Sequence, residues 1–311
     1  MKVLLTGATG FVGSALVARL RRERQLSLRA SVRRYAAVLP ADIEKIVVSD
    51  MEPESDWKAA LDGVSAVVHL AARVHVMHDK AADPLEEFRW VNVAGTLNFA
   101  RQSAAAGVRR FVFLSSIKVN GEAGRYTEED TPAPSDPYGV SKYEAELGLW
   151  EISRKTRMEV VVIRPPLVYG PGVKANFLAL MRAVACGYPL PFGAVHNQRS
   201  MVAVDNLADF ILKTLEHPRA ANETFVVSDG EDLSTTELIV RLAVAVGRKP
   251  RLISVPAGIL MGIASLVGKR AALKRLLGSL SVDSSKALRI LSWTPPISVD
   301  EGLRRVAASI R

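Results

Sequence analysis

Two side chains in the middle of the chain have the types and the spacing to move a proton. They are Tyr138 and Lys142, in the run Tyr138-Gly139-Val140-Ser141-Lys142. On a helix, residues i and i+4 share a face, so the Lys142 ammonium can sit beside the Tyr138 hydroxyl. A phenol ordinarily ionises near pH ~10, and a fixed cation beside it favours the phenolate, bringing a general acid or base toward working pH. A Tyr and a Lys four apart occur by chance in many helices, so the pair needs a setting. Ser115-Ser116 offer one, because they end an apolar run over 109–114 that reads as a strand. Open α/β sheets bind ligands at the carboxyl ends of their strands. A serine hydroxyl there can hold the same substrate oxygen that Tyr138 protonates or deprotonates.

Such groups must be positioned by a regular scaffold, and the pattern along the chain supplies one. Residues 2–6 read as a buried strand and 11–22 as a helix; 28–32, 45–49 and 66–71 follow as strands. A long helical stretch over 84–106 leads into strand 109–114. A further helix opens at Asp136, where Asp-Pro can cap the first turn, and a sixth strand is expected at 158–163. Strands alternating with helices call for a parallel sheet covered on both faces. After Arg164 the chain is punctuated by Pro165, Pro166, Gly170, Pro171 and Gly172. Short strands are expected there at 224–228 and 251–254, among helices near 174–186, 234–246, 257–267 and 298–309, and a strand near residue 200 is expected to return to the main sheet. The fold class is therefore α/β, a Rossmann-type doubly wound parallel sheet over 1–165 with a smaller, mostly helical substrate-binding part over 166–311.

The first strand runs directly into Thr6-Gly7-Ala8-Thr9-Gly10-Phe11-Val12-Gly13, which opens a helix. Gly7 permits a tight turn, Gly10 lets the backbone approach a pyrophosphate, and Gly13 lets helix and strand pack closely. The helix N-terminus then presents N–H groups to phosphate. No Gly-Lys-Ser/Thr follows, which excludes a mononucleotide P-loop. A nicotinamide dinucleotide is implied, and its positively charged ring would favour the Tyr138 phenolate while Lys142 can hold its ribose. At the end of the second strand, where an acid would take the ribose hydroxyls of NAD, stand Arg29-Ala30-Ser31-Val32-Arg33-Arg34. An arginine here can clamp the 2′-phosphate of NADP, so NADP(H) is favoured with Arg33 first and Arg34 second, and NAD(H) is the alternative.

The 311 residues carry a formal net charge of +9, with 49% apolar and 23% charged residues, an ordinary globular composition. The basic residues are scattered and not interleaved with aromatics, which argues against a nucleic-acid partner. The single cysteine, Cys186, excludes an intramolecular disulfide and reads as a buried spectator in a reducing, cytoplasmic setting. The longest apolar stretch, 255–267, is short of the ~18–20 residues that a transmembrane helix needs. His75 and His78 lie near Asp79 and Asp83, but nothing else supports a metal site, and none is expected.

From the spacing of the three glycines and the runs that follow, the chain resembles the extended short-chain dehydrogenase/reductases, in the nucleotide-sugar epimerase, dehydratase and 4-ketoreductase family. The resemblance spans nearly the whole length. It includes His69-Leu70-Ala71-Ala72, Val91-Asn92-Val93-Ala94-Gly95-Thr96, Phe113-Leu114-Ser115-Ser116, Arg164-Pro165-Pro166-Leu167-Val168-Tyr169-Gly170-Pro171-Gly172 and Arg199-Ser200-Met201-Val202-Ala203-Val204-Asp205. It implies a catalytic set of Tyr138, Lys142, Ser116 and Asn92. It implies cofactor contacts from Gly7, Thr9, Gly10, Phe11, Val12 and Gly13, from Asp50 and Met51 beside the adenine, from Leu70, Ala71 and Ala72, and from Pro165. Substrate contacts fall to Ser115, Ser116, Asn176 and Arg199. A homodimer built on helices near 86–106 and 136–154 is also implied. Two departures stand out: Asn120 replaces the tyrosine of the family's Val-Tyr-Gly, and basic residues replace the acid after the second strand.

The segment from Ala71 to Phe88 is similar to bacterial members of surface-polysaccharide gene clusters. The reading that follows is an NADP(H)-dependent reductase of the C4 keto group of a UDP-4-keto-6-deoxy-(N-acetyl)hexose, with UDP favoured over dTDP. A UDP-hexose or UDP-N-acetylhexosamine 4-epimerase with NAD is the alternative, and a non-catalytic NADP-binding sensor the third. A 4,6-dehydratase is disfavoured, because its Asp-Glu acid and base pair is not apparent near 127–130.

Overall fold

The computed structural model describes residues 1–34, 38–48, 50–74, 83–266 and 270–309. Strand β1 (Lys2–Thr6) leads through the glycine-rich loop into helix α1 (Phe11–Leu20). Then come β2 (Ser27–Val32), β3 (Glu44–Val47), the short α2 (Lys58–Leu61) and β4 (Ala66–His69). Helix α3 (Pro84–Phe88), a π-helical stretch (Arg89–Gly95) and α4 (Thr96–Ala105) precede β5 (Arg110–Leu114). A 3₁₀ turn (Ile117–Val119), β6 (Gly124–Tyr126), α5 (Pro137–Lys155) and β7 (Glu159–Arg164) follow. Beyond them lie β8 (Leu167–Tyr169), α6 (Ala175–Ala185), β9 (Arg199–Ala203), α7 (Val204–Glu216), β10 (Glu223–Val226) and β11 (Asp232–Leu233). The chain closes with α8 (Thr235–Ala245), α9 (Ala257–Leu266), α10 (Arg270–Leu277), β12 (Leu280–Val282), α11 (Ser285–Leu291) and α12 (Val299–Ala308).

Side chains alternate across a strand, so a strand apolar at every position must be covered on both faces. In β1, Val3 and Leu5 join Leu16, Leu20, Leu207 and Ile211 on one face, whereas Leu4 joins Trp57, Phe99 and Leu149 on the other. Each large side chain buried in this way stabilises the fold by ~1.5–3 kcal/mol. The result is a seven-stranded parallel sheet in the order β10-β7-β5-β4-β1-β2-β3. The order reverses direction between β1 and β4, and the crevice at their carboxyl ends is where such sheets bind ligands.

Three expectations change. The strand near residue 200 does not return to the main sheet. It is β9, which lies in a second sheet, β11-β9-β12-β6, with β8 alongside. The seventh main strand is β10, aligned parallel to β7, with Phe225 buried against Phe210 at 5.5 Å. The strand expected at 251–254 reduces to one isolated pairing, Leu190 with Leu252. Short apolar runs look alike in one dimension; the neighbouring strand decides which of them pairs. No helix among the described residues is long and apolar enough to cross a membrane.

The third change matters for the site. The single helix expected over 84–106 is three pieces, with a π-helical stretch at its centre. A π turn takes in an extra residue and resets the face that the next residues present. The stretch ends at Gly95, where an added Cβ would stand 2.4 Å from the Met51 carbonyl oxygen. Backbone cannot yield there as a flexible side chain could. Gly95→Ala is expected to destabilise the fold by ~1–3 kcal/mol, read as a lowered thermal midpoint. An unchanged midpoint would show that the loop after β3 gives way freely.

Candidate active site

At the switch point, two loops meet with no room to spare. Gly7 has φ +72°, and a Cβ there would lie 2.9 Å from the Ala71 amide nitrogen in the loop after β4. A Cβ on Gly13 would stand 2.0 Å from the Gly7 carbonyl oxygen, which is why α1 can start so close to the strand end. Gly10 donates its N–H to the Gly7 oxygen at 2.9 Å and is the N-cap of α1, with no side chain capping the helix. Helix starts of this kind leave first-turn N–H groups for an anion. Thr9 and Gly10 are exposed at this edge, with Phe11 and Val12 half-buried behind them. Leu70, Ala71 and Ala72 are half-buried opposite. This cradle, which a Cβ would fill, fits the pyrophosphate of a dinucleotide.

His69 holds the cradle in place. Its Nδ1 lies 2.7 Å from Thr6 Oγ1 and its Nε2 lies 2.9 Å from Thr96 Oγ1, while Thr6 Oγ1 also accepts the Ala71 N–H at 3.2 Å. Burial, aided by the Lys142 charge, pushes the imidazole down to about 3, so it stays neutral. One ring nitrogen then donates and the other accepts, which ties β1, β4 and α4 together.

At the end of β2, Arg33 and Arg34 are exposed, the Arg33 side chain at 81%. The exposed carboxylate of Asp50 approaches Arg33 at 3.9 Å. Tertiary structure thus brings an acid to the edge where the local sequence has none. Met51, half-buried, follows it against Gly95.

Helix α5 carries the proton-transfer pair. The Asp136 carboxylate caps it by accepting the Gly139 N–H at 2.7 Å, as Asp-Pro predicts. Tyr138 is half-buried, with its ring edge-on to Phe88 at 6.1 Å, and Lys142 is 2% exposed. The Lys142 ammonium donates to the Leu114 carbonyl at 2.8 Å, lies 4.3 Å from the Phe113 ring centre and 6.0 Å from that of Tyr138. Burial drives the ammonium down to about 7, against the pull of Glu146. Burial, and secondarily the like charge of Asp136, pushes the Tyr138 phenol above its ordinary value. Burial thus opposes the phenolate expected from the Tyr-Lys spacing, and the Lys142 ammonium makes its hydrogen bond to the Leu114 carbonyl.

Ser116 is half-buried and caps the 3₁₀ turn weakly, accepting the Lys118 N–H at 3.3 Å. Asn92 sits in the π-helical stretch, 1% exposed. It accepts the Arg73 N–H at 2.8 Å and donates to Arg73 O and to Ser141 Oγ, both at 3.0 Å. Ser141 in turn donates to the Tyr138 carbonyl at 2.8 Å, so Asn92 braces the first turn of α5 through Ser141.

One group was missed from sequence. Glu146, one helical turn beyond Lys142 and 1% exposed, is ion-paired with the buried Arg164 and accepts the Ser115 hydroxyl. Arg164 also donates to Asn120 Oδ1 at 3.1 Å, and Asn120 Nδ2 donates to the Thr127 carbonyl at 3.1 Å. Ser115 is thus tied into a buried network, while Ser116 faces the edge. The i, i+4, i+8 spacing of Tyr138, Lys142 and Glu146 was the available signal.

In the second half, Pro165 is buried and its carbonyl accepts the Ile117 N–H at 3.0 Å. Asn176 is exposed on α6; Arg199 is partly buried on β9 and donates to the Gly278 carbonyl at 2.9 Å. Cys186, expected buried, is exposed at the end of α6, since it is the residue that caps that helix. His75, His78 and Asp79 lie outside the described residues.

A glycine-cradled crevice beside a Tyr-Lys pair and a strand-end serine defines a short-chain dehydrogenase/reductase type of enzyme. Comparison of the sequence places it further: the chain belongs to the NAD dependent epimerase/dehydratase family, whose model matches residues 3–228. It is 46% identical to a UDP-glucose 4-epimerase of Vibrio cholerae, over 98% of this chain and 94% of that one. It is 28% identical to the N-acetyl-α-D-glucosaminyl-diphospho-ditrans,octacis-undecaprenol 4-epimerase of Escherichia coli O157:H7, over 97% of this chain and 93% of that one. The solved structure of MoeE5 in complex with UDP-glucose and NAD is similar with a TM-score of 0.80 and 27% identity, covering 100% of this chain and 99% of that chain.

The Lys142 environment has a measurable consequence. A free lysine titrates near ~10.4, so between about 7 and that value the unfolded chain keeps a proton that the folded chain releases. Lys142 therefore destabilises the ligand-free fold most below pH 7, and this cost fades as pH rises. Lys142→Met is expected to raise the thermal midpoint of the ligand-free protein at pH 6 by more than at pH 9. A difference independent of pH would contradict the buried-cation account.

Proposed function

We propose that the chain is an NAD-dependent UDP-sugar 4-epimerase, acting through Tyr138, Lys142 and Ser116. The observation that carries this reading is the Tyr138–Lys142 pair beside Ser116 at the switch-point crevice, in a chain 46% identical to a UDP-glucose 4-epimerase. The likeness to a structure holding UDP-glucose and NAD supports the substrate class and the cofactor. Gly7, Gly10 and Gly13, with Thr9, Phe11, Val12 and the Leu70-Ala71-Ala72 edge, would hold the dinucleotide, and Asp50 and Met51 its adenine side. When bound, NAD supplies a hydride acceptor and donor.

The protein's own part is proton movement. Tyr138 Oη takes the proton from the C4 hydroxyl as that carbon is oxidised, and Ser116 Oγ holds the same oxygen. After the keto sugar presents its other face, Tyr138 returns the proton, so no net oxidation results. Lys142, its ammonium 6.0 Å from the Tyr138 ring centre, would add positive potential beside the phenol and hold the nicotinamide ribose. Asn176 and Arg199 are the proposed contacts to the nucleotide diphosphate. The division into a dinucleotide-binding part and a substrate-binding part near residue 165 belongs to this proposal. So does a homodimer through α4 and α5, consistent with half-exposed Trp90 and Leu147 on the π-helical stretch and α5.

The 4-keto reductase using NADPH is the second reading, and exposed Arg33 and Arg34 favour it. Asp50 beside Arg33 weighs against it, since a 2′-phosphate there would meet a like charge.

Purified protein with NAD is expected to interconvert UDP-glucose or UDP-N-acetylglucosamine with its C4 epimer, without net change in reduced cofactor. Tyr138→Phe should lower kcat by about 10²–10⁴-fold while NAD binding persists. Consumption of NADPH one-for-one with UDP-4-keto-6-deoxy-N-acetylglucosamine, and no epimer formed, would replace the epimerase with the reductase. Arg33→Ala separates the cofactors: NAD binding should change by less than about twofold, because an exposed guanidinium contributes little without a phosphate partner. A selective loss of NADPH binding would restore the clamp.

A further inference from the structure

Lys118 belongs to neither the proton-transfer set nor the cofactor cradle, yet it lies where the two catalytic elements touch. It sits in the 3₁₀ turn that follows Ser116, and its backbone N–H is the one that Ser116 Oγ accepts. Its ammonium reaches across to the Asp136 carboxylate, the cap of the helix that carries Tyr138. Its carbonyl oxygen lies against Gly139, where an added Cβ would come within 2.8 Å. The Ala133 N–H adds a hydrogen bond to the Val119 carbonyl at 3.0 Å. The turn and the start of the helix are thus joined by an ion pair, a close backbone approach and a hydrogen bond, all within three residues of Ser116 or Asp136. With side chains only 31% and 20% exposed, Lys118 and Asp136 are partly withdrawn from solvent screening.

We infer that Lys118 is a positioning residue, whose ion pair with Asp136 sets the reach between the Ser116 hydroxyl and the Tyr138 phenol. This rests on the proposed roles of Tyr138 and Ser116. The physical case is that both groups must meet one substrate oxygen, and a displacement of about 1 Å can cost as much as 10²-fold in rate. The ammonium also offsets the Asp136 carboxylate, whose negative charge acts on the phenol. Among the described residues, the other charges near this junction are Lys142 and Glu146 on the same helix as Tyr138, Arg73 and Glu87 behind Phe88, and Glu122, which pairs with Lys118 at 3.5 Å. Asp136, by contrast, is tied both to the serine turn and to the helix start.

The test uses the full-length protein with NAD and whichever UDP-sugar it turns over. Lys118→Met is expected to lower kcat about tenfold, with KM and NAD binding within about twofold, because the contact aligns reacting groups and does not hold ligand. Lys118→Arg should restore most of the rate. Asp136→Asn keeps a helix-capping oxygen but removes the charge, and should cost the same. The double variant Lys118→Met, Asp136→Asn should lose no more than either single one, as members of one pair do. Glu122→Gln should leave kcat unchanged. In Lys118→Met, the pH at which kcat rises should move upward, as Asp136 is left uncompensated beside the phenol. The inference is overturned if Lys118→Met keeps wild-type kcat and pH profile, or if KM alone moves. A Tyr138→Phe variant that retains full activity would instead sink the reading of the site on which this inference rests.

Discussion

Glu146 and Arg164 form an ion pair enclosed within the protein, at 1% and 6% side-chain exposure, and the catalytic edge is arranged around it. A buried charge without a partner is costly, whereas a buried pair with its remaining hydrogen-bonding capacity filled is tolerated and fixes geometry. Here two outside groups fill the capacity, in a network that draws on three neighbouring segments. The Ser115 hydroxyl comes from the end of β5, Asn120 from the turn beyond it, and Arg164 itself from the end of β7. Helix α5 therefore has one rotation about its axis in which Glu146 meets its partners. That rotation also turns Lys142 and Tyr138, one and two turns earlier, toward the crevice. The substitution of Asn120 for the family's tyrosine falls within this network, where its amide accepts from Arg164 and donates to Thr127.

The same burial that makes the arrangement rigid also sets its electrostatics. Lys142 is held down to about 7 and the Tyr138 phenol is held up, so without ligand the pair is close to a neutral acid beside a half-charged base. The polar cradle around His69 is neutral as well.

Much of this was legible in one dimension. The spacing of Gly7, Gly10 and Gly13 after an apolar strand names a phosphate cradle, because glycine takes φ of +72° without strain and has no Cβ to meet a carbonyl at 2.0 Å. Tyr138, Lys142 and the serines at a strand end were visible as types and offsets, as was Asp136 as a cap. The π-helical stretch that carries Asn92 was not, since a single inserted residue leaves the apolar pattern on either side readable as one helix. Nor was the proximity of Asp50 to Arg33, which come from the ends of different strands.

By itself, then, the sequence determined the alternating α/β class, the glycine cradle and the candidate proton-transfer residues, because these depend on local backbone freedom and on helical and strand periodicity. Only the tertiary structure decided that β10 and not β9 completes the main sheet, that Ser115 is committed to Glu146 while Ser116 is left at the edge, and that the Lys142 ammonium is spent on Leu114 and Phe113. The physical reason is common to all three. Strand partners, hydrogen-bond partners and the dielectric around a charge are set by groups distant in the chain, and local spacing carries no record of them.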